Sequence, residues 1–472
     1  MAIDSRFSMP KDFPKWVHEA LRNWHSQQAD HILNNLLLAR HYQGAQESTA
    51  RLISNKILLD GIEGLKQTGG DDLADLLQRR FLNQETARQI AYRTNISADI
   101  VFQRQRAAIV QLANFIWSQE QALRESRLRL VDTHLEPSSY TRLFGATEKL
   151  AALRELMEKP AEPWILALEG FGGIGKTSLA DALARELAGS PHFSEIGWVS
   201  ARRRLFNLSG NIEALTSGSN LTITELVDRL IDQFSLTSLI HSSDSEKWLG
   251  LKDYLKSRPC LVVIDNLETV PDYPVLVFRL TSLVNPTKFL LTTRYSLRDS
   301  SGIHIYTLDP LNKADTLALV RHEAETRGLP ELARAPKAGL EPIHAVTGGN
   351  PLAVKLLVGQ IHTLSLPVAL SKFESARDKP FNSLMIFLHE TAWQSLDDDC
   401  RRVLSALTLV ADSGQLPQIA AAAELDEGRA ISCLHHLALL SMVQVSGTLY
   451  ERRYFLHQLT QNFVAQQVNR AD

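Results

Sequence analysis

A chain of 472 residues with 44% hydrophobic content is long enough for roughly three or four folded units with ordinary cores. Its formal net charge of −3 argues neither for nor against nucleic acid as a property of the whole chain. The start, Met1-Ala-Ile-Asp-Ser-Arg6, lacks the apolar stretch of a leader, no apolar run reaches the ~18 residues of a membrane span, and Cys260, Cys400 and Cys433 lack metal or redox spacing. These features predict a soluble, cytoplasmic chain with reduced thiols and no membrane partner.

Residues 1–135 read as an all-helical domain. Ala29 to Arg40 carries apolar positions at helical spacing, and the turn formers Thr68 to Asp72 divide the region. A helix-turn-helix rhythm occupies about 77–116. Its first helix ends near Thr94, Asn95-Ile-Ser97 makes the turn, and Ser97 caps the second helix. Ala87, Ile90, Ala91, Ile96 and Ile100 are positioned to pack the corner. The segment resembles the DNA-reading helix-turn-helix of sigma factor region four. That resemblance implies phosphate contacts from the surrounding arginines and base contacts from Gln103, Arg104, Gln105 and Arg106. Helix-turn-helix shapes also serve as protein-interaction modules, and both readings stay open here.

From about 140 to 308 the pattern alternates helices with short apolar strands at Trp164–Leu168, Ile196–Ser200, Cys260–Ile264 and Lys288–Thr292. Such alternation predicts a parallel sheet covered on both faces, with ligands beyond the carboxyl ends of the strands. Gly170-Phe-Gly172-Gly173-Ile-Gly175-Lys176-Thr177 follows the first strand and opens a helix at Ser178, matching G-x-x-x-x-G-K-[ST]. The glycines let backbone N–H groups surround a pyrophosphate, Lys176 reaches the β- and γ-phosphates, and the Thr177 hydroxyl ligates Mg²⁺. Asp265 ends a buried strand where such sites hold Mg²⁺, and Asn266 beside it has no basic atom for a general base. Arg294 leaves the Lys288 strand, where a guanidinium suits a γ-phosphate. Lys176, Asp265 and Arg294 are thus the catalytic candidates.

Residues 309–378 read as a small helical domain. Residues 379–472 read as helices followed by strands at Met442–Ser446 and Arg453–Leu456, joined by a turn through Gly447 to Glu451.

The order of Gly170–Thr177, Leu261–Asp265, Leu290–Arg294 and Gly348-Gly-Asn-Pro351 resembles the NB-ARC branch of the STAND NTPases. Leu143-Phe-Gly145-Ala-Thr-Glu148 looks like that family's adenine-side motif, and Tyr454-Phe-Leu-His457-Gln458 like its Met-His-Asp motif in a winged-helix domain. The resemblance covers roughly residues 140–465 and implies a multidomain α/β chain built on a P-loop NTPase sheet. It further implies Pro351 beside the adenine and His457 donating to the β-phosphate of ADP. Ala146, Asn266 and Gln458 depart from the usual Arg, acidic residue and Asp, and Asn266 implies slow hydrolysis. The implied mechanism is an ADP/ATP switch with an ATP-dependent homo-oligomer. Sensor repeats usual in the family do not appear up to Asp472, which leaves two expectations: a separate sensor protein, or nucleotide or nucleic acid itself as the signal. The leading expectation is a signalling or transcriptional regulator with a helix-turn-helix output. The alternative is an oligomerising interaction scaffold of a bacterial defence system without DNA binding.

Overall fold

The computed structural model describes residues 9–26, 32–42, 49–135, 138, 140–201, 221–270, 272–298, 300–375, 393, 396–410, 413–440, 442–448 and 451–456, with several positions between 460 and 467. The chain divides into two compact units, residues 1–131 with 185–194, and residues 132–184 with 195–472.

The first unit is helical: α1 (Phe13–Arg22), α2 (Leu37–Tyr42), α3 (Ala50–Gln67), α4 (Asp71–Leu77), α5 (Ala87–Thr94) and α6 (Ala98–His134). Its core joins Phe13, Val17, Leu33, Leu58 and Ile62 to Leu112, Ile116 and Trp117 of α6. Gly64 lets α3 approach α6 closely, since a Cβ there would collide with the Phe115 ring. The side chain of Glu120, on the apolar side of α6, is fully buried. Its carboxylate accepts from the N–H groups of Leu37 (3.1 Å) and Leu38 (3.0 Å) at the start of α2, and from Arg124 Nε at 2.9 Å. The charge therefore sits against unpaired helix donors and a guanidinium, the condition under which burial of a carboxylate is tolerated.

The turn between α5 and α6 follows its sequence chemistry. Thr86 and Gln89 form a reciprocal capping box at the start of α5, and Asn95 ends that helix in the left-handed region at φ 55°. Ser97 Oγ accepts from Ile100 N–H at 3.3 Å, as a cap should. Leu76, Ala87, Ile90, Ala91 and Val101 pack the corner, with Ile96 against them. Ile100 does not; it is 40% exposed, because Val101, one residue on, takes the inward direction. The second helix runs well past the expected end near 116, to His134.

The second unit contains β1 (Ile165–Glu169), β2 (Glu195–Ser200), β3 (Cys260–Asp265), β4 (Lys288–Thr293) and β5 (Ile303–Thr307) in one sheet of order β2-β3-β4-β1-β5. Every pairing is parallel. Helices α7 (Thr147–Glu158), α8 (Lys176–Ala188), α9 (Ile223–Gln233), α10 (Asp244–Ser257) and α11 (Tyr273–Leu280) flank it. β1, β3 and β4 are buried along their whole length, which is why they read as uninterrupted apolar runs. β5 lies at the edge and is only partly buried, so its mixed sequence Ile303-His-Ile-Tyr-Thr307 carries no such run. Because β4 lies between β1 and β3, the carboxyl ends of all three strands converge at one edge of the sheet.

Further cores follow. One gathers α12 (Lys313–Thr326), α13 (Pro330–Arg334), α14 (Lys337–Thr347), α15 (Pro351–Gln360) and α16 (Leu366–Ser375) around Leu340, Leu356 and Phe373. Another combines α17 (Asp398–Leu409), α18 (Leu416–Ala422) and α19 (Glu427–Leu439) with the antiparallel pair β6 (Gln444–Gly447) and β7 (Arg452–Phe455). Although far apart in sequence, Cys400 and Cys433 meet Asp397 there within 4.8 Å. Burial pushes the Cys400 thiol well above its usual range, and the Asp397 carboxylate is already engaged by Cys400 N–H and Arg429. Both features suit thiols packed as small apolar groups. No helix among the described residues is long and apolar enough to cross a membrane.

Candidate nucleotide-binding site

The glycine loop leaves β1 after Glu169 and feeds directly into α8, whose first residue is Lys176. Gly173 (φ 74°) and Gly175 (φ 102°) hold left-handed conformations that side chains resist. Lys176 is buried, and its Nζ donates to the loop's own carbonyls at Gly170 (2.8 Å) and Phe171 (3.1 Å). Burial lowers its pKa to about 8; the negative charges of Glu268 and Asp265 oppose that shift and Arg294 adds to it. A buried ammonium resting on neutral carbonyls, at a helix N-terminus lined with glycines, is an arrangement that a phosphate completes.

Thr177 Oγ1 donates to Asp265 Oδ1 at 2.7 Å, so the two expected metal-side residues meet. Thr292 of β4 donates to the same oxygen at 2.6 Å, while the Asn266 amide donates to Oδ2. Asn266 N–H in turn donates to Thr292 Oγ1 at 2.9 Å. This network fixes the Asp265 carboxylate in place. Arg294, just beyond β4, forms an ion pair with Glu268, Nε to Oε1 at 2.9 Å, held by charge, since Nε has no hydrogen-bond partner among the described residues. Glu169 anchors the chain beyond Arg294 by accepting from Leu297 N–H at 2.6 Å.

Pro351 occupies the first turn of α15, immediately after the cap residue Asn350. Asn350 accepts from Leu352 and Ala353 N–H and donates from Nδ2 to Gly172 O at 3.0 Å, and Leu352 N–H reaches Gly173 O at 3.3 Å. The Gly348–Pro351 segment is thereby seated on the glycine loop. Ala146 precedes α7 without a side-chain cap. His457 and Gln458 lie outside the described residues.

Three residues of this site escaped the sequence reading: Thr292, Asn350 and Glu268. Asn350 carried a signal, since Asn before Pro at a helix start is a capping pattern. Glu268 carried none, because its direction depends on the turn that follows Asp265.

Away from this site, Gln103, Arg104 and Arg106 on α6 are exposed. Gln105 is corrected: it is 7% exposed and accepts from Arg80 Nε at 2.9 Å, so it faces the corner of the fold rather than a nucleic-acid base. Its spacing from Val101, Ala108 and Leu112 puts it on the buried stripe. Arg104 lines a hollow together with Asp71, Asp72, Asp75 and Arg79, the last paired with Asp75.

A parallel sheet, a glycine loop opening a helix at Lys176, and an aspartate at the end of β3 within hydrogen-bond reach of Thr177 define a P-loop NTPase. Residues 146–303 match the NB-ARC domain family, so the chain carries an NB-ARC domain. It is similar to the TMV resistance protein N of Nicotiana glutinosa, 22% identical over 256 residues, covering 54% of this chain and 20% of that protein. Among solved structures it is similar to a signal transduction ATPase with numerous domains, bearing a tetratricopeptide repeat sensor, from Pyrococcus horikoshii. That match has 19% identity and a TM-score of 0.45, and covers 70% of this chain and 43% of that one. The ORC2 protein of Aeropyrum pernix matches at 14% identity and a TM-score of 0.34, over 72% of this chain and 98% of that one. The chain thus spans a fifth of the resistance protein and under half of the STAND protein.

Proposed function

We propose that this chain is an ADP/ATP-operated switch with slow hydrolysis, acting as a signalling or transcriptional regulator through its N-terminal helix-turn-helix. The observation that carries the reading is the meeting of Lys176, Thr177, Asp265 and Arg294 around the carboxyl ends of β1, β3 and β4. Lys176 and the loop N–H groups would bind the phosphates, with Gly170, Gly172, Gly173, Gly175 and Ser178 forming or flanking the cradle. Thr177 and Asp265 would hold Mg²⁺, which when bound neutralises phosphate charge. Arg294 would report a γ-phosphate, and Pro351 and His457 would contact the nucleotide from the helical and C-terminal parts. ATP would favour the self-associating form to the extent that it binds that form more tightly than the closed one.

Purified chain should retain ADP, and Lys176→Ala should lose it, read by mass spectrometry of the denatured protein. Equal nucleotide content in both would remove the P-loop assignment. Turnover should stay well below about 1 s⁻¹, against an enzyme median near 10 s⁻¹. Tens per second would instead make this a working ATPase.

A second reading has support of its own. Tyr92 is 93% exposed on α5, Phe102 is half-exposed on α6, and acidic side chains line the same hollow as Arg104. That mixture suits a protein partner, and an oligomerising scaffold without DNA contact follows from it. Fluorescence anisotropy of the whole chain with duplex DNA across a salt series separates the two. Salt-sensitive binding supports the DNA output, and no binding at low salt supports the scaffold.

A further inference from the structure

We propose that Glu268 is the water-activating base of the nucleotide site, and that Arg294 holds it out of use until a γ-phosphate draws the guanidinium away. The inference rests on the nucleotide-switch reading above.

Asp265 is unsuited to that role. Its Oδ1 accepts from both Thr177 and Thr292, and its Oδ2 accepts from Asn266. Asn266 itself carries an amide with no basic atom. It does something else. At φ 61° and ψ 46° it turns the chain out of β3 into the short helical turn Leu267–Thr269. That turn carries Glu268 back toward the site, close enough for its charge to act on Lys176. The Glu268 side chain is 9% exposed, Oε1 faces Arg294 at 2.9 Å, and Oε2 is buried with no hydrogen-bond partner among the described residues. A buried carboxylate oxygen without a donor is costly unless something fills the gap, and a water beside a phosphate would do so.

The pairing supplies the control. While ADP is bound, nothing competes with Glu268 for Arg294. A γ-phosphate offers the guanidinium a bidentate anion in place of Oε1. Glu268, released, orients the water. Its Oε2 takes one proton from that water as the water oxygen bonds the γ-phosphorus. The bond from phosphorus to the bridging oxygen breaks, its electron pair leaving on ADP. Glu268 then gives the proton to solvent, and the products are ADP and inorganic phosphate. The chain therefore has a base despite Asn266, sequestered as long as no γ-phosphate is bound.

The test uses the whole chain, stripped of nucleotide, with fluorescent ATP and ADP analogues and Mg²⁺. Glu268→Gln should raise the preference for the ATP analogue over the ADP analogue by about fivefold or more, because Arg294 is no longer held. Its single-turnover hydrolysis should fall at least about 100-fold, the lower range for loss of a general base. Arg294→Ala, which leaves Glu268 intact, should erase the preference for the ATP analogue. An unchanged preference in Glu268→Gln, or hydrolysis equal to wild type, overturns the proposal while leaving the switch reading standing. If wild type binds neither analogue, both fall together. Should Glu268→Gln fail to fold, Glu268→Asp carries the same tests, with the shortened acid expected to weaken the Arg294 hold and slow hydrolysis.

Discussion

Glu120 in the helical unit and Glu268 in the nucleotide-binding unit are both carboxylates taken out of water, and they end differently. Glu120 finds two backbone N–H donors at the start of α2 and the guanidinium of Arg124. Among the described residues Glu268 finds only Arg294, and one of its oxygens has no hydrogen-bond partner. Lys176 resembles Glu268 in this respect, resting on carbonyls with no carboxylate in contact among the described residues. Completed buried charges hold elements together. Incomplete ones mark where a missing group belongs, since a protein keeps such a group only at a cost.

If Glu120 is purely structural, its loss should show in stability alone. Glu120→Ala should cost about 3–5 kcal/mol, the range for breaking a buried ion pair, read by urea unfolding. Glu120→Gln, which keeps an oxygen for the α2 donors, should recover part of it. A cost below about 1 kcal/mol would erase the contrast with Glu268.

Lys176 sharpens the comparison through pH. Its folded pKa of about 8 lies below the ordinary 10.5, so between those values the empty folded chain binds fewer protons than the unfolded chain. This group's contribution therefore makes the empty chain more stable as pH rises through that window. Bound phosphate favours the ammonium, so nucleotide affinity should move the opposite way, falling about fivefold from pH 8 to pH 9. Lys288, shifted similarly by burial, adds to the stability trend, so affinity is the cleaner measurement. Flat affinity across that range would mean Lys176 is already neutralised by a protein group.

The smallest effect tests the corner between α5 and α6. Thr86→Ala removes half of the capping box of α5 and should cost about 1 kcal/mol, visible in thermal melts. It should leave nucleotide binding untouched; altered ADP retention would tie the two units energetically.

The legible parts of this chain were those written in local pattern. β1, β3 and β4 read as strands because both their faces are covered, and the glycine loop reads from its own spacing. β5 was missed because an edge strand alternates over too few residues to stand out. Gln105 was assigned to bases although helical spacing from Val101 to Leu112 places it inward, an error of phase that the sequence alone could have corrected. Glu268 and Asn350 belong to a different class. Their roles depend on a left-handed residue after a strand and on a helix start joined to the glycine loop across a long sequence interval, and neither relation has a local pattern.

That last contact has a mechanical consequence. Gly172 and Gly173 present their carbonyls to Asn350 and to Leu352 N–H, and a Cβ on Gly173 would press 2.6 Å from that of Leu352. The loop that would grip phosphate is therefore braced from behind by the first turn of α15, and shares that brace with a separate helical core. Such a cradle is a joint as much as a receptacle, because one hydrogen-bonded turn is common to both sides.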